Sequence, residues 1–67
     1  MRIWLREIRE KASMTQKEIA LSAGIARVFY TNIENDDRRP SVETAKKIAE
    51  VLHFDWTKFF EDDEQTS

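Results

Sequence analysis

A helix that stops and restarts at once constrains this chain more than any other feature. The segment TQKEIALSAGIARVFYTNIE, Thr15 to Glu34, reads as two short helical runs divided by Gly24, the only glycine in the 67 residues. A capping box opens the first run at Thr15-Gln16-Lys17-Glu18. The Thr hydroxyl accepts from the backbone N–H three residues on, and the Glu carboxylate reaches back to the Thr N–H. Ile19, Ala20 and Ala23 then form an inward face. Gly24 takes the left-handed conformation that closes a helix. The second run, about residues 26–34, sets Ile25, Phe29 and Ile33 on one side with Tyr30 at its margin.

Helical periodicity continues on both flanks, and β-branched alternation is absent. Trp4, Leu5, Ile8 and Ala12 share one arc of a first helix over about 2–12, with Arg9 at the edge of that arc. Ser41, after Pro40, is an N-cap for a fourth helix whose face is Val42, Ala45, Ile48, Ala49 and Leu52. Asp55 caps a short last helix over 56–60. The expected fold is an all-α, compact five-helix domain over residues 1–61, followed by a short acidic tail at 62–67. The 15–34 segment in its centre is a helix-turn-helix unit, two steeply crossed helices joined by a tight turn.

With no cysteine, the chain has neither disulfides nor a Cys-based metal site, and nothing argues for an oxidising compartment. No apolar run of ~18 residues is present to span a membrane. The start, MRIWLREIRE, has no apolar segment of the secretory type. A cytoplasmic protein is expected. The net charge of −2 argues against nucleic acid until its distribution is considered. Of 13 acidic groups, four lie at Glu61, Asp62, Asp63 and Glu64, leaving nine against 11 basic ones in residues 1–60.

The second run of the central unit carries Arg27, Val28, Thr31 and Asn32 over an arc of ~140° opposite its apolar stripe. Arg donates twice to guanine, Asn pairs with adenine, Thr suits several base edges, and an aliphatic group packs on a thymine methyl. On composition alone an ordinary solvated face fits these residues as well. Glu34 stands at the C-terminal end of its helix, where the dipole disfavours an anion. Arg9 is the candidate partner, in a bidentate pair tying the first helix to the third. The alternative is an exposed Glu without a partner.

With these residues in place, the chain resembles the phage Cro/repressor-type helix-turn-helix family, also called XRE-like. The resemblance runs over about residues 3–61. It rests on Arg9, on Thr15-Gln16-Lys17-Glu18-Ile19-Ala20, on Gly24-Ile25, on Ile33-Glu34-Asn35 and on Arg38-Arg39-Pro40-Ser41. It implies a lambda-repressor-like domain that binds operator DNA, generally as a dimer, with the third helix in the major groove. It implies base contacts from Ala26, Arg27, Val28, Thr31 and Asn32, and phosphate contacts from Gln16 and Asn35. Arg38 and Arg39 are placed to add to the phosphate contacts. The Arg9–Glu34 pair is a recurring feature of the family.

The chain departs from the family pattern in four places. Asn35-Asp36-Asp37 stands where Asn-Gly-Lys is usual, and carboxylates there are expected to weaken non-specific binding. Ala26 replaces a capping Ser or Thr, at a cost of ~1 kcal/mol. His53 stands where glycine often closes the fourth helix, and is read as a cap or surface group. Phe29 and Tyr30 are adjacent, one belonging to the core and the other near the DNA backbone, with the assignment open.

The expected function is a sequence-specific DNA-binding transcription regulator, a repressor acting as a homodimer on a pseudo-palindromic operator. Its expected partners are double-stranded DNA, a second copy of the chain, and a regulatory protein. Trp56, Phe59 and Phe60 form an aromatic cluster on the last helix, part of which packs on the core; the remainder, joined by Trp4, supplies the candidate dimer contacts. No cofactor, metal or small-molecule ligand is expected. Catalysis is disfavoured, since there is no Cys nucleophile, one His and no phosphate-cradling glycine loop. The rival reading is a protein-binding module, antitoxin-like or adaptor, on the same scaffold.

Overall fold

The computed structural model describes residues 1–61, and the acidic tail at 62–67 lies outside the described residues. Four helices follow one another: α1 (Ile3–Lys11), α2 (Gln16–Ala23), α3 (Arg27–Glu34) and α4 (Val42–Leu52). A single helical turn, α5, occupies 58–61. No strand is present among the described residues. The core gathers Leu5 of α1, Ile19, Ala20 and Ala23 of α2, Tyr30 and Ile33 of α3, Ala45, Ile48 and Leu52 of α4, and Phe59 of α5. Each helix contributes one apolar stripe, so none buries its face without the others.

The helix starts follow from their side chains. Both halves of the capping box at α2 are present. Thr15 Oγ1 accepts from the Glu18 N–H at 3.1 Å, and the Thr15 N–H donates to Glu18 Oε1 at 2.8 Å. Ser41 Oγ accepts from the Thr44 N–H at 3.2 Å and opens α4. Asp55 Oδ1 accepts from the Thr57 N–H at 3.0 Å and opens the turn into α5. That bond, with a second donated by Thr57 Oγ1 at 2.8 Å, holds the Asp55 carboxyl below the ordinary carboxylate range. Ala26 is the N-cap of α3 and has no side-chain oxygen to offer, so that helix starts without a cap bond.

The helix ends repeat one device. Each of the four helices closes on a left-handed residue: Ser13 (φ 57°), Gly24 (φ 72°), Asp36 (φ 68°) and His53 (φ 60°). Beyond each, an N–H donates to a carbonyl five residues back: Met14 to Arg9 (3.2 Å), Ile25 to Ala20 (2.9 Å), Asp37 to Asn32 (2.8 Å) and Phe54 to Ala49 (3.1 Å). This is the closure that satisfies the last carbonyls of a helix, and an apolar residue packs just beyond it. Met14, Ile25 and Phe54 do so here. Asp36 therefore makes the turn that the family pattern assigns to glycine, and His53 is a cap.

The last helix begins at 58, after a turn at 56–57, where a start at 56 was expected, and two apolar positions also differ from the sequence expectation. Val42 is 47% exposed, because residues 41–43 all stand clear of the core at the start of α4. Ala12 is exposed because it is the C-cap of α1, where the chain turns away. Between the adjacent aromatics, Tyr30 is fully buried and Phe29 is half-buried against the core edge.

A left-handed residue with a Cβ costs roughly 1–2 kcal/mol relative to its ordinary conformation. At Gly24 a Cβ meets nothing within 4 Å, so only this backbone term applies. Gly24→Ala is expected to lower unfolding free energy by about 1 kcal/mol, and His53→Gly to raise it by up to ~1 kcal/mol. Urea unfolding of the two variants measures both changes, which should have opposite signs.

Candidate nucleic-acid interface

The interface is organised from inside the protein. Glu34 ends α3 and is 1% exposed, an expensive place for a carboxylate. Arg9 of α1 answers it with two parallel bonds, Nε to Oε2 at 2.9 Å and Nη2 to Oε1 at 3.0 Å. Its remaining nitrogen, Nη1, donates to the Met14 carbonyl at 3.0 Å. Burial alone pushes the Glu34 carboxyl up. The hydrogen bonds from Arg9 and Gln16 outweigh burial and hold it below its ordinary 4.5. The Glu34 hydrogen bond in turn raises Arg9. Tyr30 lies close to the pair, and burial together with the Glu34 charge pushes its phenol up. Its hydroxyl makes no hydrogen bond of good geometry.

The network then reaches the surface. Gln16 Nε2 donates to Glu34 Oε1 at 3.2 Å, and Thr31 Oγ1 donates to Gln16 Oε1 at 3.0 Å. The first residue of α2 and the outer face of α3 are thereby joined side by side. At the far end of α3 the Asn32 carbonyl accepts from the Asp37 and Arg38 N–H groups at 2.8 and 3.2 Å. The surface so formed runs from Gln16 across Thr31 and Asn32 to the loop carrying Arg38.

On that surface Ala26 and Arg27 are exposed, Val28 is 71% exposed, and Thr31 and Asn32 are half-buried. Asn35, the C-cap of α3, and Arg38 and Arg39 are exposed beside them. Of the two expected sets, hydrogen bonds directly link Gln16 with Thr31 and Arg38 with Asn32. The aromatic set divides. Phe59 is 2% exposed and belongs to the core, so of the candidate dimer set it is the member not available to a second subunit. The cause is its edge packing on Trp4 (5.1 Å) and its contact with Phe54 (5.6 Å). Trp4, Trp56 and Phe60 remain half-buried.

Arg2 is a residue that sequence reasoning passed over. It is 8% exposed. Its N–H donates to the Glu34 carbonyl at 2.7 Å, and its Nη1 donates to the Ile33 carbonyl and to the Arg38 carbonyl. The same Nη1 lies 3.2 Å from Asp36 Oδ1, and the guanidinium sits 5.8 Å from the Phe59 ring centre. Arg2 therefore caps the C-terminus of α3, which the helix dipole favours. It also pairs one of the two loop carboxylates that were expected to oppose phosphate. In sequence its only signal was one more basic residue in a charged N-terminus.

Removing one partner of a buried ion pair leaves the other charge uncompensated, a cost of ~3–5 kcal/mol. Arg9→Ala is expected to cost about 3 kcal/mol in denaturant unfolding. That is well above the ~0–1 kcal/mol of a surface pair such as Arg6–Glu10. Because the Glu34 pKa is lowered on folding, its contribution is present above pH 4.5 and lost as pH falls below it. Acid titration of stability should show this loss in the parent protein and not in Glu34→Gln.

The helix-turn-helix family model matches residues 5–59, the span from Leu5 to Phe59. An uncharacterized HTH-type transcriptional regulator of Bacillus subtilis (strain 168), YqaF, is 55% identical over 62 residues, covering 92% of this chain and 82% of that protein. An uncharacterized HTH-type transcriptional regulator of Archaeoglobus fulgidus is 40% identical over 53 residues, covering 79% of this chain and 76% of its own length. A second from the same archaeon is 38% identical over 53 residues, covering 79% and 75%. No solved structure matches the chain significantly. The capped and glycine-closed α2, the outward face of α3 and the matched span together make this chain a member of the Cro/repressor-type (XRE) helix-turn-helix family.

Proposed function

We propose that this chain is a sequence-specific DNA-binding transcription regulator, a repressor that places α3 in the major groove of a pseudo-palindromic operator as a homodimer. The observation that carries the reading is the outward set Arg27, Val28, Thr31 and Asn32 on a helix whose opposite side is locked by Tyr30, Ile33 and Glu34. A rigid helix with donors, acceptors and one aliphatic group on its free side matches the pattern of base edges in the major groove. Ala26, at the start of α3, allows close approach of the backbone. The relatives named as HTH-type transcriptional regulators support the same reading.

The phosphate-facing role falls to Gln16, Asn35, Arg38 and Arg39. Gln16 keeps one Nε2 hydrogen after bonding Glu34, since an amide nitrogen carries two. Positioning contacts of this kind set register without reading sequence. With Asp36 paired to Arg2, the loop opposes phosphate less than its two carboxylates suggest. For the dimer, Trp56, Phe60 and Trp4 are the half-buried aromatics that a second copy would cover. Two copies would set their α3 helices about one DNA turn, ~34 Å, apart.

Enrichment of bound duplexes from random DNA, with the protein's mass measured in solution, tests the operator and the dimer together. The expected result is a pseudo-palindrome and twice the chain mass. Arg27→Ala is expected to cost about 1–3 kcal/mol on the selected operator and to relax discrimination at one base pair per half-site. Arg38→Ala is expected to weaken all sequences alike and to lower the slope of log affinity against log salt by about one.

A further inference from the structure

The chain of bonds Arg9–Glu34–Gln16–Thr31 fixes more than position, because it has a direction. An ionised carboxylate only accepts hydrogen bonds. Glu34 is held ionised by two bonds from Arg9, so the Gln16 group 3.2 Å from its Oε1 must be the amide nitrogen. The opposite end of that amide, Oε1, is an acceptor, and it lies 3.0 Å from Thr31 Oγ1. Thr31 is therefore the donor in that bond. A hydroxyl has one hydrogen and two acceptor lone pairs. With its hydrogen turned inward to Gln16, Thr31 has only lone pairs left for anything that meets it from outside.

Resting on the DNA-reading role proposed above, we infer that Thr31 is an acceptor-only reader. It selects an exocyclic amino group, adenine N6 or cytosine N4, on the strand it faces, and Gln16 is the positioning residue that imposes this polarity. Each base pair presents an amino group from one base and a keto oxygen from the other in the major groove. An acceptor-only hydroxyl thus distinguishes A or C from G or T on its strand. Guanine and thymine would set their oxygens against the Thr31 lone pairs. The same polarity leaves Thr31 unable to bind a phosphate oxygen, which needs a donor. A free threonine would have no such preference, because it rotates to suit either partner.

The test has two arms. In the free protein, Thr31→Val should move the Gln16 Cδ resonance, which loses a donated bond, and leave the Nε2 proton resonances held by Glu34 in place. An unmoved Cδ overturns the inward donation. In the second arm, duplexes selected from random DNA by the parent protein are rebuilt one base at a time with purine for adenine or pyrimidin-2-one for cytosine. One position per half-site should lose about tenfold in affinity when its amino group is removed. Thr31→Val should lose the same factor on the unmodified duplex and be indifferent to the analogue, and Thr31→Ser should keep the preference. Gln16→Leu, which frees the hydroxyl to rotate, should accept G or T at that position, whatever its overall loss of affinity. A keto base at the position that Thr31→Val relaxes, or a preference unchanged in Gln16→Leu, overturns the inference. If no duplex is enriched by the parent protein, the operator-reading proposal itself fails, which is a different result from a keto preference.

Discussion

A buried carboxylate held by a bidentate guanidinium is the constraint on which the geometry of this small protein rests. Glu34 sits at the end of α3, where both burial and the helix dipole oppose a negative charge. Arg9 makes the site tolerable, and in doing so it pins α1 to the last turn of α3. Arg2 fastens the same turn from the other side by capping its carbonyls. Two arginines of the N-terminal segment therefore fix where α3 points, although neither lies on its outward face. Such a pair contributes little net stability compared with a well-packed apolar replacement, but it demands one geometry. A helix held in this way carries its outward side chains in one arrangement.

Much of this was legible in the sequence because it is local. The capping box at Thr15, the N-cap at Ser41 and the break at Gly24 are set within a few residues, and each appears in the structure as read. The outward arc of α3 follows from the 3.6-residue period. What was not legible depends on contacts between distant parts of the chain. Arg2 looks like any other basic residue until α3 ends beside it. Tyr30 and Phe29 are adjacent in sequence, and only the packing of α3 on the other helices decides that Tyr30 is the one fully buried. Which of the last helix's aromatics turns inward was likewise open in the sequence, and Trp4 and Phe54 close around Phe59. Val42 failed for a related reason, since periodicity gives a direction and cannot say where a partner helix stops.

A net charge of −2 for the whole chain says little about the surface beside α3. Arg27 at the start of α3 and Arg38 and Arg39 after its end are exposed, and Asp36 is drawn onto Arg2. Glu43 and Glu10 answer Lys47 and Arg6 on other faces, at one helical turn's spacing. A field that steers an anionic polymer is local within roughly a Debye length of ~10 Å, so the pattern matters more than the total.

The four helix ends bear on how this protein would change under selection. All use the same left-handed closure, yet only one of the four residues there lacks a Cβ. Ser13, Asp36 and His53 each hold a conformation that glycine adopts freely, and none of them is part of the apolar core. Durability can therefore be raised or lowered by single replacements in the turns, with the core untouched. Asp36 is the exception among them, since its carboxylate also holds Arg2 beside the end of α3. A more robust version of this chain would thus be sought first at Ser13 and His53, where the turn stands apart from the end of α3.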